Sequence, residues 1–151
     1  MTNQDETLAK VYDLSFFMPG KAEEAEEVKH PISKRFKDKE GNIIPFVFKP
    51  VATERIDEIE QLHTKPVFEK GRKVGENVDN ARFMAQLAVE STIYPDFKSV
   101  EFRQAYKTED PIEVAKRVLH VGGEYAAWIK KASDINGFDD SLEELEEAIK
   151  N

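Results

Sequence analysis

The sequence predicts an α+β domain in which a β-hairpin near the N-terminus is followed by a mainly helical region. Three observations predict it. Between His30 and Pro50 residues alternate with the period of strands, whereas later segments repeat apolar residues at steps of three and four. The strands also precede most of the helices rather than alternating with them, which argues against a doubly wound parallel sheet. At 151 residues the chain suits one domain, and a domain of this size buries roughly 68–70% of the surface its unfolded chain exposes. The expected division is an N-terminal apolar patch and charged connector over 1–28, a single α+β domain over 29–138, and an acidic C-terminal helix over 139–151.

Taken in order, Leu8, Val11, Tyr12 and Leu14 to Met18 suit a brief amphipathic helix stopped by Pro19-Gly20. Lys21 to Val28 is nearly all Ala and Glu and reads either as a solvated helix or as a tether. Ile32, Lys34 and Phe36 alternate with Ser33, Arg35 and Lys37, and Gly41-Asn42 can supply the positive backbone angles of a tight turn. Ile43 to Phe48 then forms the return strand, with Pro45 confined to an edge or bulge because it lacks an amide donor.

Thr53 is a natural helix N-cap with Glu54 in the first turn, and Ile56, Ile59 and Leu62 repeat at helical spacing. His63 to Val78 carries Pro66, Gly71 and Gly75 and reads as an extended loop or a second small hairpin. Asp79 caps the clearest helix, with Phe83, Met84, Leu87, Ala88, Ser91 and Tyr94 on one stripe and Pro95 as the stop. Asp96 to Tyr106 suggests a short helix that partly buries Val100, Phe102 and Tyr106. Asp110-Pro111 pairs an N-cap with proline at the first helical position, and Ile112, Ala115, Val118 and Leu119 form the inner face. Gly122-Gly123 breaks the chain before a helix from Glu124 to Ile135, closed by Asn136-Gly137 as a left-handed cap. Ser141-Leu142-Glu143-Glu144 has the pattern of a capping box, opening a last helix with Leu142, Leu145 and Ile149 on a narrow stripe.

Composition narrows the function classes. Hydrophobic residues make up 40% and charged residues 34%, as expected of a soluble protein with a charged surface. The net charge of -8 disfavours nucleic-acid binding, since phosphate backbones repel an acidic protein and the basic clusters Lys34 to Lys37 and Lys70 to Lys73 are short. No apolar run approaches the ~20 residues that span a bilayer, and Met1 to Lys10 is polar and acidic, unlike a secretory signal. The absence of cysteine excludes disulfides, thiolate metal sites and a thiol nucleophile, and fits a reducing cytoplasm.

Little suggests catalysis. His30, His63 and His120 lie in separate segments without HxxxH or HExxH spacing. Asp38 to Asn42 and Asp134 to Gly137 faintly resemble calcium loops, but glycine arrives too early and no bidentate glutamate closes either. Lys70 to Gly75 is glycine-rich and basic without the P-loop pattern, and no GxSxG elbow is present. We therefore expect no enzyme, no cofactor and no metal. Apolar side chains on short helices stand out instead. Phe16 and Phe17 near the N-terminus, with Tyr125, Trp128 and Phe138 near the C-terminus, are the expected protein-binding residues, because aromatic groups make good interface anchors. The competing role for Tyr125 and Ile129 is packing in the protein's own core.

The ordered features also carry a family resemblance. Ser33-Lys34-Arg35-Phe36-Lys37-Asp38-Lys39-Glu40-Gly41-Asn42, followed by an aromatic strand ending in Lys49-Pro50, resembles the hairpin of XkdN-like tail assembly chaperones of bacteriophages and phage-derived particles. So do Ala88-Val89 to Tyr94-Pro95-Asp96, Gly123-Glu124-Tyr125-Ala126 and Ile135-Asn136-Gly137-Phe138-Asp139. The resemblance runs from about Leu14 to the C-terminal Lys150-Asn151. One departure is Lys107-Thr108-Glu109-Asp110-Pro111, where a glycine-containing connection is expected. The resemblance implies a non-enzymatic binding protein of the host bacterial cytoplasm, absent from the finished particle, that holds the tape measure protein before the tail tube polymerises. The tail tube protein is a further implied contact, and self-association is left open. The alternative is a structural tube or baseplate component, for which the alternation of a large β-sandwich is missing.

Overall fold

The computed structural model describes residues 12–138 and Ile149. The expected helix over 139–151 and the contributions of Leu8 and Val11 lie outside those residues, Ile149 apart. Helices and antiparallel sheets are both present, as α+β requires.

Three short strands, β1 (Val28–His30), β2 (Phe46–Phe48) and β5 (Thr92–Tyr94), form an antiparallel sheet in the order β1-β2-β5. β1 and β2 pair with Lys29 opposite Val47, but the strand expected over Ile32–Lys37 does not form. Pro31 and Pro45 lack amide donors and flank an intervening loop that makes a single isolated bridge, Lys37 to Ile43. Asp38 organises the turn inside it. Its carboxylate accepts from the amides of Glu40 and Asn42, both at 2.9 Å, and Gly41 takes the positive φ of 86°.

The other edge of β2 is covered by a strand that the apolar stripe had assigned to a helix. α2 (Asn80–Ser91) stops at Ser91, and Thr92, Ile93 and Tyr94 run on as β5, with Phe48 opposite Thr92. Thr and Ile are β-branched and Tyr aromatic, which suits a pleated surface better than a helix end. The Thr92 hydroxyl turns back to donate to the Ala88 carbonyl at 2.7 Å. Tyr94 thereby leaves the stripe and is exposed.

Other boundaries shift by a residue or two. Leu14–Phe17 is one 3-10 turn, with no buried side chain, in place of an amphipathic helix. Residues 23–27 have no regular structure, which settles Lys21 to Val28 against a helix. α1 (Thr53–Leu62) has Ala52 at its N-cap with no side-chain hydrogen bond, so Thr53 is its first helical residue. β3 (Thr64–Glu69) and β4 (Arg72–Val78) make the second hairpin, turned by Lys70 and Gly71 at positive φ. Asp79 caps α2 by accepting from the Arg82 amide at 3.2 Å. α3 (Val100–Ala105) half-buries Phe102 and Tyr106, but Val100 is exposed. α4 (Pro111–Val118) is capped by Asp110, and α5 (Gly122–Ile135) starts two residues before Glu124, with both glycines in its first turn. Gly137 ends it at φ 80°.

The core lies between the sheet and α2, α4 and α5. Phe97, just before α3, is fully buried and touches three aromatic rings. It stacks on Phe102 at 5.6 Å, meets Trp128 edge-on at 5.3 Å, and lies 6.1 Å from Phe46. Trp128 is fully buried, and its indole N–H donates to the Thr92 hydroxyl at 2.8 Å.

Lys107, at the departure from the family pattern, has φ 55°, the left-handed conformation in which glycine is at ease. A lysine at this angle is held at some strain. Lys107→Gly should be stabilising by about 0.5–1 kcal/mol, since a side chain in this region costs roughly 1–2 kcal/mol; an unchanged or lower urea midpoint would refute this. Thr92→Val keeps the shape but strands the Trp128 N–H in the core. It should cost about 1–3 kcal/mol in chemical unfolding, and a loss below 0.5 kcal/mol would contradict the assigned hydrogen bond.

Candidate protein-binding site

The five aromatic residues expected to bind protein separate into three environments. Phe16 (66% exposed) and Phe17 (84%) lie in open solvent together with Tyr12 and Leu14. Asp13 holds their turn by accepting from the Ser15 amide at 2.8 Å. Phe138 is exposed just beyond α5. Trp128 belongs to the core, so its ring offers no surface; on α5 it faces inward, where it meets the sheet. Tyr125, one turn earlier, is half-buried beside it at 5.6 Å.

Tyr125 also faces outward onto a groove that the sequence did not reveal. The groove has a volume of about 750 Å³. From α2 it takes Asn80, Ala81, Arg82, Met84 and Ala85; from α4, Ile112 and Lys116; from α5, Tyr125, Ala126, Ile129, Lys130 and Ser133. On α5 the lining positions 125, 126, 129, 130 and 133 follow helical spacing, while 128 and 132 face the core. One helix thus presents an inner apolar face and a second, partly exposed one. Small side chains at Ala81, Ala85 and Ala126 leave the space open. Burial pushes the pKa of the Tyr125 hydroxyl up, keeping it neutral.

The groove is apolar at its floor and cationic at its rim. Arg82 pairs with Asp110 at 3.1 Å and Lys116 with Glu113 at 3.7 Å, but Lys130 has no ion-pair partner among the described residues. Among the described residues no carboxylate lines it. Among the described residues no group of three or more His, Cys, Asp or Glu is arranged to hold a metal ion, and no helix is long and apolar enough to cross a membrane. Chemically, the groove can bury apolar side chains and attract negative charge.

A tie at the start of α5 holds it in place. Glu124, 9% exposed, accepts from Arg35 Nε at 2.8 Å and Nη2 at 2.6 Å, and from the Ser33 hydroxyl. Arg35 Nη2 also donates to the Val118 carbonyl at 3.1 Å, where α4 ends. Both segments carried the family resemblance, and here they touch. The hydrogen bonds from Arg35 hold the Glu124 carboxyl down to about 2, against the opposing effect of burial, with help from Ser33.

Similarity to known proteins defines the family. The phage XkdN-like tail assembly chaperone family matches residues 14–150, and the chain belongs to it. It is 64% identical over 141 residues to the phage-like element PBSX protein XkdN of Bacillus subtilis (strain 168), covering 93% of this chain and 95% of that protein. It is 66% identical over 142 residues to protein YqbN of the same strain, covering 94% and 95%. A crystal structure of YqbN superposes with a TM-score of 0.76 at 60% identity, covering 85% of this chain and 98% of that one. The chain is therefore a tail assembly protein of phage type.

Glu124 makes stability pH-dependent in a defined direction. Its folded pKa lies below the unfolded value of about 4.3, so its contribution is complete above that value and is lost as pH falls toward about 2. Glu124→Gln should lower stability at pH 7 by about 1–2 kcal/mol, discounted because Arg35 is partly exposed. It should also flatten the fall of the urea midpoint from pH 4.5 to 2.5; parallel pH profiles for variant and parent would exclude this role.

Proposed function

We propose that this chain binds the tape measure protein of its tail in the host bacterial cytoplasm, covering apolar helical surface until the tail tube polymerises around it, with no bond made or broken. Membership in the tail assembly chaperone family supports the setting. The observation that carries the reading is the groove between α2, α4 and α5, which is wide enough and apolar enough to take one face of an amphipathic helix. A net charge of -8 adds repulsion between covered complexes. Phe16, Phe17 and Phe138 are secondary anchors in this reading, and the tail tube protein is a later contact.

Co-expression with the tape measure protein of the same tail tests the proposal. The tape measure should become more soluble and co-purify with the chain, and the chain should be missing from purified particles. Ala126→Glu places a charge in the open groove at an exposed helical position, so folding should survive while binding weakens roughly tenfold or more, a loss of about 1.4 kcal/mol. Phe16→Ser with Phe17→Ser should leave the unfolding free energy within about 0.5 kcal/mol, because both rings are already solvated, yet reduce co-purification. A chain retained in particles at fixed copy number, or solubility unchanged by co-expression, would defeat the proposal.

A further inference from the structure

The hairpin of β3 and β4 has no place in the core. From Lys65 to Asn77 every residue except Val67 is exposed, with Phe68 at 60% and Val74 at 55%. The two strands pack on each other, and neither packs extensively on another element. A two-stranded hairpin is marginal in water without a further layer to cover it. Its root is nevertheless fixed. The Thr64 hydroxyl donates to the Glu60 carbonyl at 2.7 Å, and the Asp79 amide to the His63 carbonyl at 2.8 Å. The hairpin is therefore a rooted arm that lacks a packing partner.

Charge narrows what that partner is. On a chain of net charge -8 the arm carries Lys65, Lys70, Arg72 and Lys73 against Glu69 and Glu76. Lys73 pairs with Glu76 at 2.8 Å, whereas Lys65, Lys70 and Arg72 have no ion-pair partner among the described residues. The outer face of α1 is the opposite. Glu54, Asp57, Glu58, Gln61 and Leu62 form an exposed stripe at helical spacing, and Leu62 is 64% exposed. Glu58 is paired with Arg55, but Glu54, Asp57 and the flanking Glu60 have no ion-pair partner among the described residues. A shallow depression of about 480 Å³ lies along Asp57, Glu58, Gln61 and Leu62. Arm and stripe match in sign, in the number of free charges and in exposed apolar side chains. They do not cover each other within one chain, although the arm begins one residue after α1 ends.

The form of the arm decides how it makes contact. Pro66 lacks an amide donor, and Val74 is the extra residue of a bulge, so both strands are poor templates for adding a further strand. Side chains are left to make the contact. The seven residues of β4 span about 24 Å, enough to cover the ten residues of α1, about 15 Å long.

We infer that two copies of this chain pair by exchanging arms, the β3–β4 hairpin of each lying against α1 of the other. Phe68 and Val74 cover Leu62, and Lys65, Lys70 and Arg72 face Glu54, Asp57 and Glu60. A two-fold axis makes every contact occur twice, and opposed charges fix which faces meet. None of these residues lines the α2–α4–α5 groove, so the pairing holds or fails independently of the proposed function.

Sedimentation of the full chain tests the pairing. The parent should be dimeric at about 100 μM, above a dissociation constant of about 10 μM, and should dissociate as added salt screens the charges. Lys65→Glu with Lys70→Glu, or Asp57→Lys with Glu60→Lys, should each weaken the dimer roughly tenfold or more. All four side chains are exposed, so the circular dichroism of the variants should match the parent. Mixed in equal amounts, the two reversed chains should dimerise again, since each reversed arm then meets a reversed α1. Phe68→Ser with Val74→Ser leaves the charge intact and should weaken the dimer by a similar factor. A parent that is monomeric at that concentration would overturn the pairing. So would reversed chains that dimerise as the parent does, or a mixture of them that stays monomeric.

Discussion

Trp128 is the contact through which the two halves of the fold share one core. Its ring is completely buried against Phe97, and its one polar atom is satisfied by Thr92 on β5. A buried indole N–H without a partner is costly, so the position of β5 and the rotation of α5 are fixed together. Thr92 serves both sides, accepting from Trp128 while donating to Ala88 at the end of α2. Once α5 is rotated so that 128 and 132 face inward, residues 125, 126, 129 and 130 must face the gap beside α2 and α4. The groove is thus a consequence of how the core is closed.

A second constraint sets where α5 begins. Two glycines would ordinarily weaken a helix start, yet the helix begins at Gly122, and buried Glu124 is held by Arg35 and Ser33 in its first turn. Arg35 simultaneously donates to the carbonyl of Val118 at the end of α4, satisfying a helix-terminal group that has no partner within its own helix. The loop between β1 and β2 therefore acts as a clamp across the α4–α5 junction. The segments around Arg35 and Glu124, two of those by which the family resemblance was legible, are separated in sequence but constrained by each other.

What could be read in the sequence was what local chemistry decides. The caps at Asp79 and Asp110 and the stop at Asn136-Gly137 each depend on a side chain or glycine acting within a few residues, and each was legible. The errors arose where a distant partner decides. Thr92 to Tyr94 continues a helical stripe on paper but meets the free edge of β2 in space. Ile32 to Lys37 alternates like a strand, yet the prolines at 31 and 45 leave it only one bridge. Phe97 gave no periodic signal because it lies outside any helix, and Trp128, an aromatic on a surface-looking helix, is the largest fully buried side chain among the described residues. Tyr125 alone among the expected binding aromatics stands at the groove, and the alanines that open the groove carry no motif. Space left by small residues on two different helices cannot be seen in a linear pattern.

The electrostatics of the surface and the groove run in opposite directions, and this opposition shapes recognition. At long range a chain of net charge -8 repels other acidic molecules, with repulsion screened beyond about 8 Å at physiological salt. At contact distance an approaching helix meets Arg82, Lys116 and Lys130, the first two already paired with Asp110 and Glu113. Under the proposed function, local attraction over an apolar floor would favour a ligand that brings both an apolar stripe and acidic flanks, and desolvation of the groove would strengthen that attraction where it is made. A merely greasy segment gains only the floor; a merely acidic one is turned away by the surface before reaching the rim. Selection therefore rests on the two features occurring together at helical spacing, which is a demand on pattern rather than on composition.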